Sequence, residues 1–302
     1  MKWGGIAFGI GLLLGGVTDL RAESISFADD QGNVVQFESA PQRIVSLAPN
    51  ITEILFAIGL GDRVIGVTEF CNYPEGAQTV EKVAGFNTLS VEKIIAAKAD
   101  LVLASRGNDR EGVETLRQMG VPVFGIEIQS IEQLLERIER LGKLGGVEEQ
   151  AMALRQSLKK RVGRVRAKVD SLEERPRVMW GYLGEPVYTA GANTMIDDVF
   201  EIAGGTNVGR LAPGAWPQVG LETMVSWAPE VIITTDNMGE EGGFEKKLEE
   251  MRRTDGWKSL PAMRDRRVFN IDGDLLNRAG PRLIDALEQI ATLLHPGVFD
   301  RP

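Results

Sequence analysis

Apolar residues along this chain occur in two alternating kinds of run. The first kind is short and nearly continuous: Arg43-Ile44-Val45-Ser46-Leu47, Val64-Ile65-Gly66-Val67, Leu101-Val102-Leu103-Ala104 and Val121-Pro122-Val123-Phe124-Gly125-Ile126. Runs of this length and composition predict strands buried on both faces. The second kind spaces its apolar residues by three or four. It starts at Asn50 or Thr52 and stops at Gly59, then recurs over residues 91–99 and 113–119, predicting helices. Strand and helix thus alternate after a short leader, as in a mostly parallel sheet with helices on its faces.

A different pattern follows. Residues 131–144 form one helical stretch closed by Gly145-Gly146. Beyond it, apolar residues fall at Val147, Ala151, Leu154, Leu158, Val162, Val165, Val169 and Leu172, each step three or four. This single stripe predicts an amphipathic helix over 147–175, ending before Pro176. About 26 residues at 1.5 Å each give roughly 40 Å, enough to cross a small domain. A lone stripe also suits a coiled-coil arm. Strand–helix alternation resumes at once, which favours a bridge within the molecule. The expected fold is α/β, with two doubly wound lobes (41–146 and 176–298) bridged by one long α-helix.

The second lobe repeats part of the first. Residues 90–104 align without gaps with residues 220–234, matching Glu92 to Glu222, most apolar positions and an acidic residue before the strand. A weaker likeness relates residues 121–126 to 267–271 by apolar pattern alone. Two similar lobes on one long helix leave a cleft between them, a usual place for a ligand.

Composition narrows what that cleft does. The chain has 302 residues, one His (His295), one Cys (Cys71) and a formal charge of −9. A single Cys excludes an internal disulfide, and a single His disfavours His-based catalysis and protein-made metal sites. An acidic chain with no basic block is a poor nucleic-acid binder. Binding, rather than chemistry, is the expected role. At the N-terminus, Lys2, an apolar Gly-rich run and Leu20-Arg21-Ala22 predict a signal peptide over 1–22, cleaved near Ala22. The alternative is an uncleaved anchor, although the run is short for a membrane span. Either way the protein is expected to be exported.

Several residues are candidates for the site. A Glu in a helix's first turn complements the helix dipole, which explains Glu92 and Glu222 singly. Docking of a pseudo-two-fold pair onto basic residues of a symmetric partner explains why both repeats keep it. Pro217 disfavours helical backbone at Trp216, so that indole sits on a loop, tucked in or displayed. Phe70, Tyr73, Phe86 and Tyr182 lie on comparable loops and make an aromatic-walled cleft plausible. Arg106 follows a buried strand, where a guanidinium meets anionic or amide groups. Asn277-Arg278-Ala279-Gly280-Pro281-Arg282 precedes the last helix, with Arg282 fitting either a ligand or a surface salt bridge. Asp197-Asp198 reads as helix-start charge, His295 as a helix-end residue and Cys71 as a core thiol. No phosphate loop, nucleophile elbow or His-Glu-x-x-His motif is present.

Together these segments resemble a known family. Residues 43–53, Gly66-Val67-Thr68 with Tyr73-Pro74, Trp216-Pro217-Gln218-Val219 with Glu222, and Arg278-Ala279-Gly280-Pro281-Arg282 are similar to the helical-backbone metal-chelate receptors, the class III periplasmic binding proteins. The Trp-Pro-Gln-Val and Tyr-Pro segments lean toward the corrinoid-binding branch. The resemblance implies a periplasmic receptor that catalyses nothing and delivers its ligand to the permease subunits of an ATP-binding-cassette transporter. It implies that Glu92 and Glu222 dock onto permease arginines. It further implies a small-molecule metal chelate, a cobalt corrinoid, stacked against Trp216, Phe70 and Phe86. Tyr73, Arg106, Tyr182 and Asn277 complete the expected ligand site. The metal would arrive already chelated, so no protein metal ligand and no resident cofactor are expected. The alternatives are a siderophore or haem receptor of the same fold, or an exported enzyme on a doubly wound scaffold.

Overall fold

The computed structural model describes Met1 and residues 25–85, 88–235 and 243–299. The stretch expected to be the signal peptide, Met1 aside, lies outside these residues, as does Phe86. In the N-terminal lobe five parallel strands lie in the order Lys82–Ala84, Val64–Thr68, Ile44–Ser46, Leu101–Ser105, Val123–Ile126. The chain builds outward from Ile44–Ser46 on one side, then crosses to the other at Leu101–Ser105. In the C-terminal lobe the parallel order is Thr206–Asn207, Arg177–Trp180, Val231–Thr234, Val268–Asn270. Each lobe therefore has a switch point, and ligands of open α/β sheets bind at the strands' carboxyl ends there.

The internal repeat is spatial as well as sequential. Helix Val91–Ala96 leads into Leu101–Ser105, and helix Leu221–Trp227 leads into Val231–Thr234. Each of these strands pairs with the first parallel strand of its lobe on one side. On the other side stand Val123–Ile126 and Val268–Asn270, the pair related only by apolar pattern.

The long helix spans Glu148–Val169, 22 residues, or about 33 Å. It stops short of residue 175. The Asp170 N–H bonds the Arg166 carbonyl and the Leu172 N–H turns back to Val169. Past that point only Leu172 is apolar, and Pro176 disfavours helical backbone at Arg175. Ala151, Leu158, Val162, Val165 and Val169 are its buried face. That face packs on helices Ile131–Gly145, Met195–Ile202 and Leu283–Leu294, so the stripe is satisfied within the molecule and no coiled-coil partner is required. At the closest crossing, a Cβ on Gly142 would stand 2.2 Å from the Ala151 Cβ. Arg161 fixes the helix to the last one through Asp285 (2.6 Å) and Glu288 (2.6 and 3.0 Å). One continuous buried cluster runs from Ile44 and Phe124 through Leu158 and Val162 to Phe200 and Leu287.

Two local readings change. Helix Pro49–Ala57 begins at Pro49, with Ala48 as its cap; a first-turn Pro has no N–H to leave unpaired and a preset φ. Thr52 is inside the helix, and its hydroxyl donates to Ser46 Oγ at 2.8 Å. The leader is a hairpin, Ile25–Ala28 with Val34–Phe37, so the lobe begins upstream of residue 41. Asp29 fastens it by accepting the Gly125 N–H at 3.0 Å. Burial acts to raise the Asp29 pKa, but hydrogen bonds from Asn33, Gly125 and Gln31 outweigh it and hold the carboxyl below its ordinary range.

Candidate functional site

The carboxyl ends of the central strands of the N-terminal lobe open onto a pocket of about 360 Å³ between the lobes. Asn50, Ser105, Arg106 and Glu127 contribute from the N-terminal lobe, and Asn277 and Arg278 from the C-terminal one. The arrangement brings together Arg106 and Asn277, two expected site residues far apart in sequence. Arg106 has a side chain 78% exposed, with Glu127 at 3.9 Å, so its guanidinium is free to meet a solute. Asn277 donates its amide to Thr235 Oγ1 at 3.2 Å, which orients it.

A second group of expected residues meets around one the sequence reading missed. Trp180 ends the first strand of the C-terminal lobe and is buried. Tyr182 stands edge-on to it at 5.2 Å and Trp216 at 5.8 Å, with interplanar angles of 66° and 74°. Edge-to-face contact is a favourable arrangement of ring quadrupoles. Trp216 remains 58% exposed, yet its loop is pinned on both sides. The Thr189 N–H bonds the Pro217 carbonyl at 3.0 Å, and the Gly191 N–H bonds the Ala215 carbonyl at 2.8 Å. Gly191 makes this approach possible, since a Cβ there would stand 2.2 Å from the Gly214 carbonyl oxygen. Trp216 is therefore displayed rather than tucked in. The signal for Trp180 was a bulky aromatic closing a strand two residues before Tyr182, just ahead of Gly181.

On the N-terminal lobe Phe70 and Tyr73 are both exposed. One face of Tyr73 is already covered, because the Arg282 guanidinium lies 3.9 Å from its ring centroid. Neither of them, nor Tyr182 or Trp216, lines the 360 Å³ pocket. Arg282 is no surface salt bridge: its partner, Glu53, is buried.

Glu92 and Glu222 stand exposed in the first turns of their helices and form no ion pair among the described residues. The other titratable groups have local tasks. Cys71 is buried against the hydroxyls of Thr52 and Thr68, each 3.2 Å away. Asp197 and Asp198 do open a helix, and each also serves elsewhere. Asp197 accepts from Asn207 and Arg210, and Asp198 accepts the Ile131 N–H of the other lobe at 2.7 Å. Burial raises the Asp198 pKa. Among the described residues no cluster of three or more His, Cys, Asp or Glu could hold a metal ion. Nor is any described helix long and apolar enough to cross a membrane.

Two parallel α/β lobes on one long helix, with switch points facing a shared cleft, define a class III periplasmic binding protein. The chain belongs to the periplasmic binding protein family, which it matches over residues 44–275. It is 34% identical over 279 residues to an uncharacterised ABC transporter substrate-binding lipoprotein of Bacillus subtilis, covering 90% of this chain and 86% of that one. It is 30% identical to a vitamin B12-binding protein of Vibrio parahaemolyticus, over 82% of this chain and 88% of that one. Among solved structures, the apo periplasmic haem-binding protein of a Roseiflexus species superposes with a TM-score of 0.75 at 25% identity, covering 86% of this chain and all of that one. The protein is thus a substrate-binding component of the ATP-binding-cassette transporter kind, a class that carries substrates rather than converting them.

Proposed function

We propose that this protein, exported after cleavage near Ala22, binds a corrinoid in the periplasm and hands it to the permease of an importer. The observation that carries the reading is Trp216, exposed on a pinned loop beside Trp180 and Tyr182, in a chain 30% identical to a vitamin B12-binding protein. A flat, largely neutral macrocycle is the ligand such a surface suits. In this reading the corrin stacks on Trp216, with Tyr182 and Phe70 around it. Arg106 and Asn277 orient its amide side chains from the polar end of the cleft. Tyr73 contributes the one ring face that Arg282 leaves open. The cobalt comes already chelated and needs no ligand from the protein. Glu92 and Glu222, exposed and in equivalent places of the two lobes, dock onto basic residues of the two permease subunits.

Haem is the second reading, supported by the Roseiflexus structure and by Arg106, whose loosely held guanidinium suits a propionate. Calorimetric titration of the purified mature protein with cyanocobalamin, cobinamide, haem and ferric siderophores separates the readings. A corrinoid should bind tightest. Haem binding without corrinoid binding would select the second reading, and siderophore binding alone would refute both.

A further inference from the structure

Two sequence segments that marked the family, 43–53 and 278–282, prove to be each other's partners across the cleft. Glu53, on helix Pro49–Ala57, is only 3% exposed. Its carboxylate accepts two hydrogen bonds from Arg282, Nη2 to Oε1 at 2.6 Å and Nε to Oε2 at 3.0 Å. Arg278 Nη1 stands 3.8 Å from the same Oε1. Arg278 also donates to Asn72 Oδ1 at 2.6 Å and pairs with Asp274 at 2.6 Å, while Asn72 Nδ2 donates to Asp274 Oδ2 at 2.8 Å. Glu53, Asn72 and Tyr73 belong to the N-terminal lobe; Asp274, Arg278 and Arg282 belong to the C-terminal lobe. Gly280 permits the approach, since a Cβ there would lie 3.1 Å from Glu53 Oε2.

This network adjoins the 360 Å³ pocket through Arg278. Asn277, Arg278 and Ala279 form its C-terminal-lobe wall and Asn50 part of the opposite one. A carboxylate this far from water is tolerated only with its partners in place, and a two-pronged guanidinium contact fixes angle as well as distance. We propose that Glu53 is a positioning residue of the binding site. It fastens the loop 277–282 to the N-terminal lobe, and so sets the cleft width and the place of Asn277 before any ligand arrives. The Asp198 contact to Ile131 is a second tie between the lobes. Rotation that widens the cleft must break the Glu53 network.

The proposal rests on the ligand reading above only for the choice of probe. Spin labels at Met119→Cys and Lys246→Cys, exposed positions on the two lobes, report the inter-lobe distance by pulsed electron paramagnetic resonance, with buried Cys71 left in place. The otherwise unaltered protein should give one narrow distance distribution, the same with and without cyanocobalamin. Glu53→Gln should broaden it in the free protein, and saturating cyanocobalamin should narrow it again. If a tenth of the free molecules keep the competent geometry, the affinity falls about tenfold. Arg282→Lys keeps the charge but loses the two-pronged contact to Glu53, and should broaden the distribution likewise; it stands in if Glu53→Gln does not fold. A folded Glu53→Gln or Arg282→Lys protein with the narrow, ligand-free distribution of the parent would overturn the proposal. If the parent protein binds no corrinoid, the ligand reading fails, and the ligand-free distances still judge the latch.

Discussion

Trp216→Ala removes the side chain on which the ligand reading leans most. The indole is 58% exposed; a fully buried Trp covers about 150–250 Å², so roughly 90–150 Å² remains for a ligand. A flat ligand covers one face, about half of that, worth roughly 1–2 kcal/mol at 25 cal/mol per Å². Ring–ring electrostatics contribute about 0.5–1.5 kcal/mol more. The expected loss is about 2–3 kcal/mol, a dissociation constant roughly 30- to 150-fold weaker. The fold itself loses only the edge-on contact to Trp180, about 0.5–1.5 kcal/mol, because backbone hydrogen bonds at Thr189 and Gly191 hold the loop. Calorimetry is the right assay, since the chain has five Trp and Trp216 would be its own fluorescent reporter. A variant that binds within threefold of the parent, for every chelate the parent binds, would refute Trp216 as a wall of the site.

Other perturbations test other parts of the argument. Glu92→Ala with Glu222→Ala should leave the ligand dissociation constant unchanged and abolish uptake in a reconstituted importer; lost ligand binding would contradict a docking role. Gly142→Ala forces helix Ile131–Gly145 away from the long helix, because its Cβ would stand 2.2 Å from that of Ala151. Urea denaturation should show a loss of about 1–3 kcal/mol, largely recovered by adding Ala151→Gly. Burial holds the His295 imidazole below its ordinary pKa of 6.5, against the opposing pull of the backbone at Ala203 and Gly204. The unfolded chain therefore takes up this proton first as pH falls below 6.5, and stability declines through the lower folded-state value. His295 is the only His, so His295→Asn should flatten the urea midpoint between pH 7 and pH 5; an unchanged slope would contradict the assignment.

Periodicity carried the fold because it reports burial, and burial here follows simple rules. Ile44–Ser46 and Leu101–Ser105 are buried on both faces and read as continuous apolar runs, while the long helix buries one stripe and shows it. The repeat was legible because residues 90–104 and 220–234 occupy the same station in two similar sheets. The hairpin's place in the lobe was not, since the bond that fastens it, Gly125 N–H to Asp29, joins positions 96 apart. Phe70 and Trp216 looked alike in sequence. Distinguishing them required the antiparallel pair Val187–Tyr188 with Gln218–Val219, which displays Trp216 beside Trp180. Arg282 was ambiguous for the same reason: its partner Glu53 lies 229 residues earlier. Pattern along a chain exposes which residues are inside, and says little about which buried charges have found one another.

The continuous cluster through the long helix has a consequence for how the molecule comes apart. A lobe expressed alone would bare half the stripe formed by Leu158, Val162 and Val165, together with whatever faced it. Although each lobe keeps a smaller buried cluster of its own, the largest cluster is shared through the helix, and the two lobes should melt in a single cooperative transition. Recombining lobes from different relatives would therefore succeed only when the helix travels with residues matched on both of its sides, which makes it the unit of inheritance rather than a spacer.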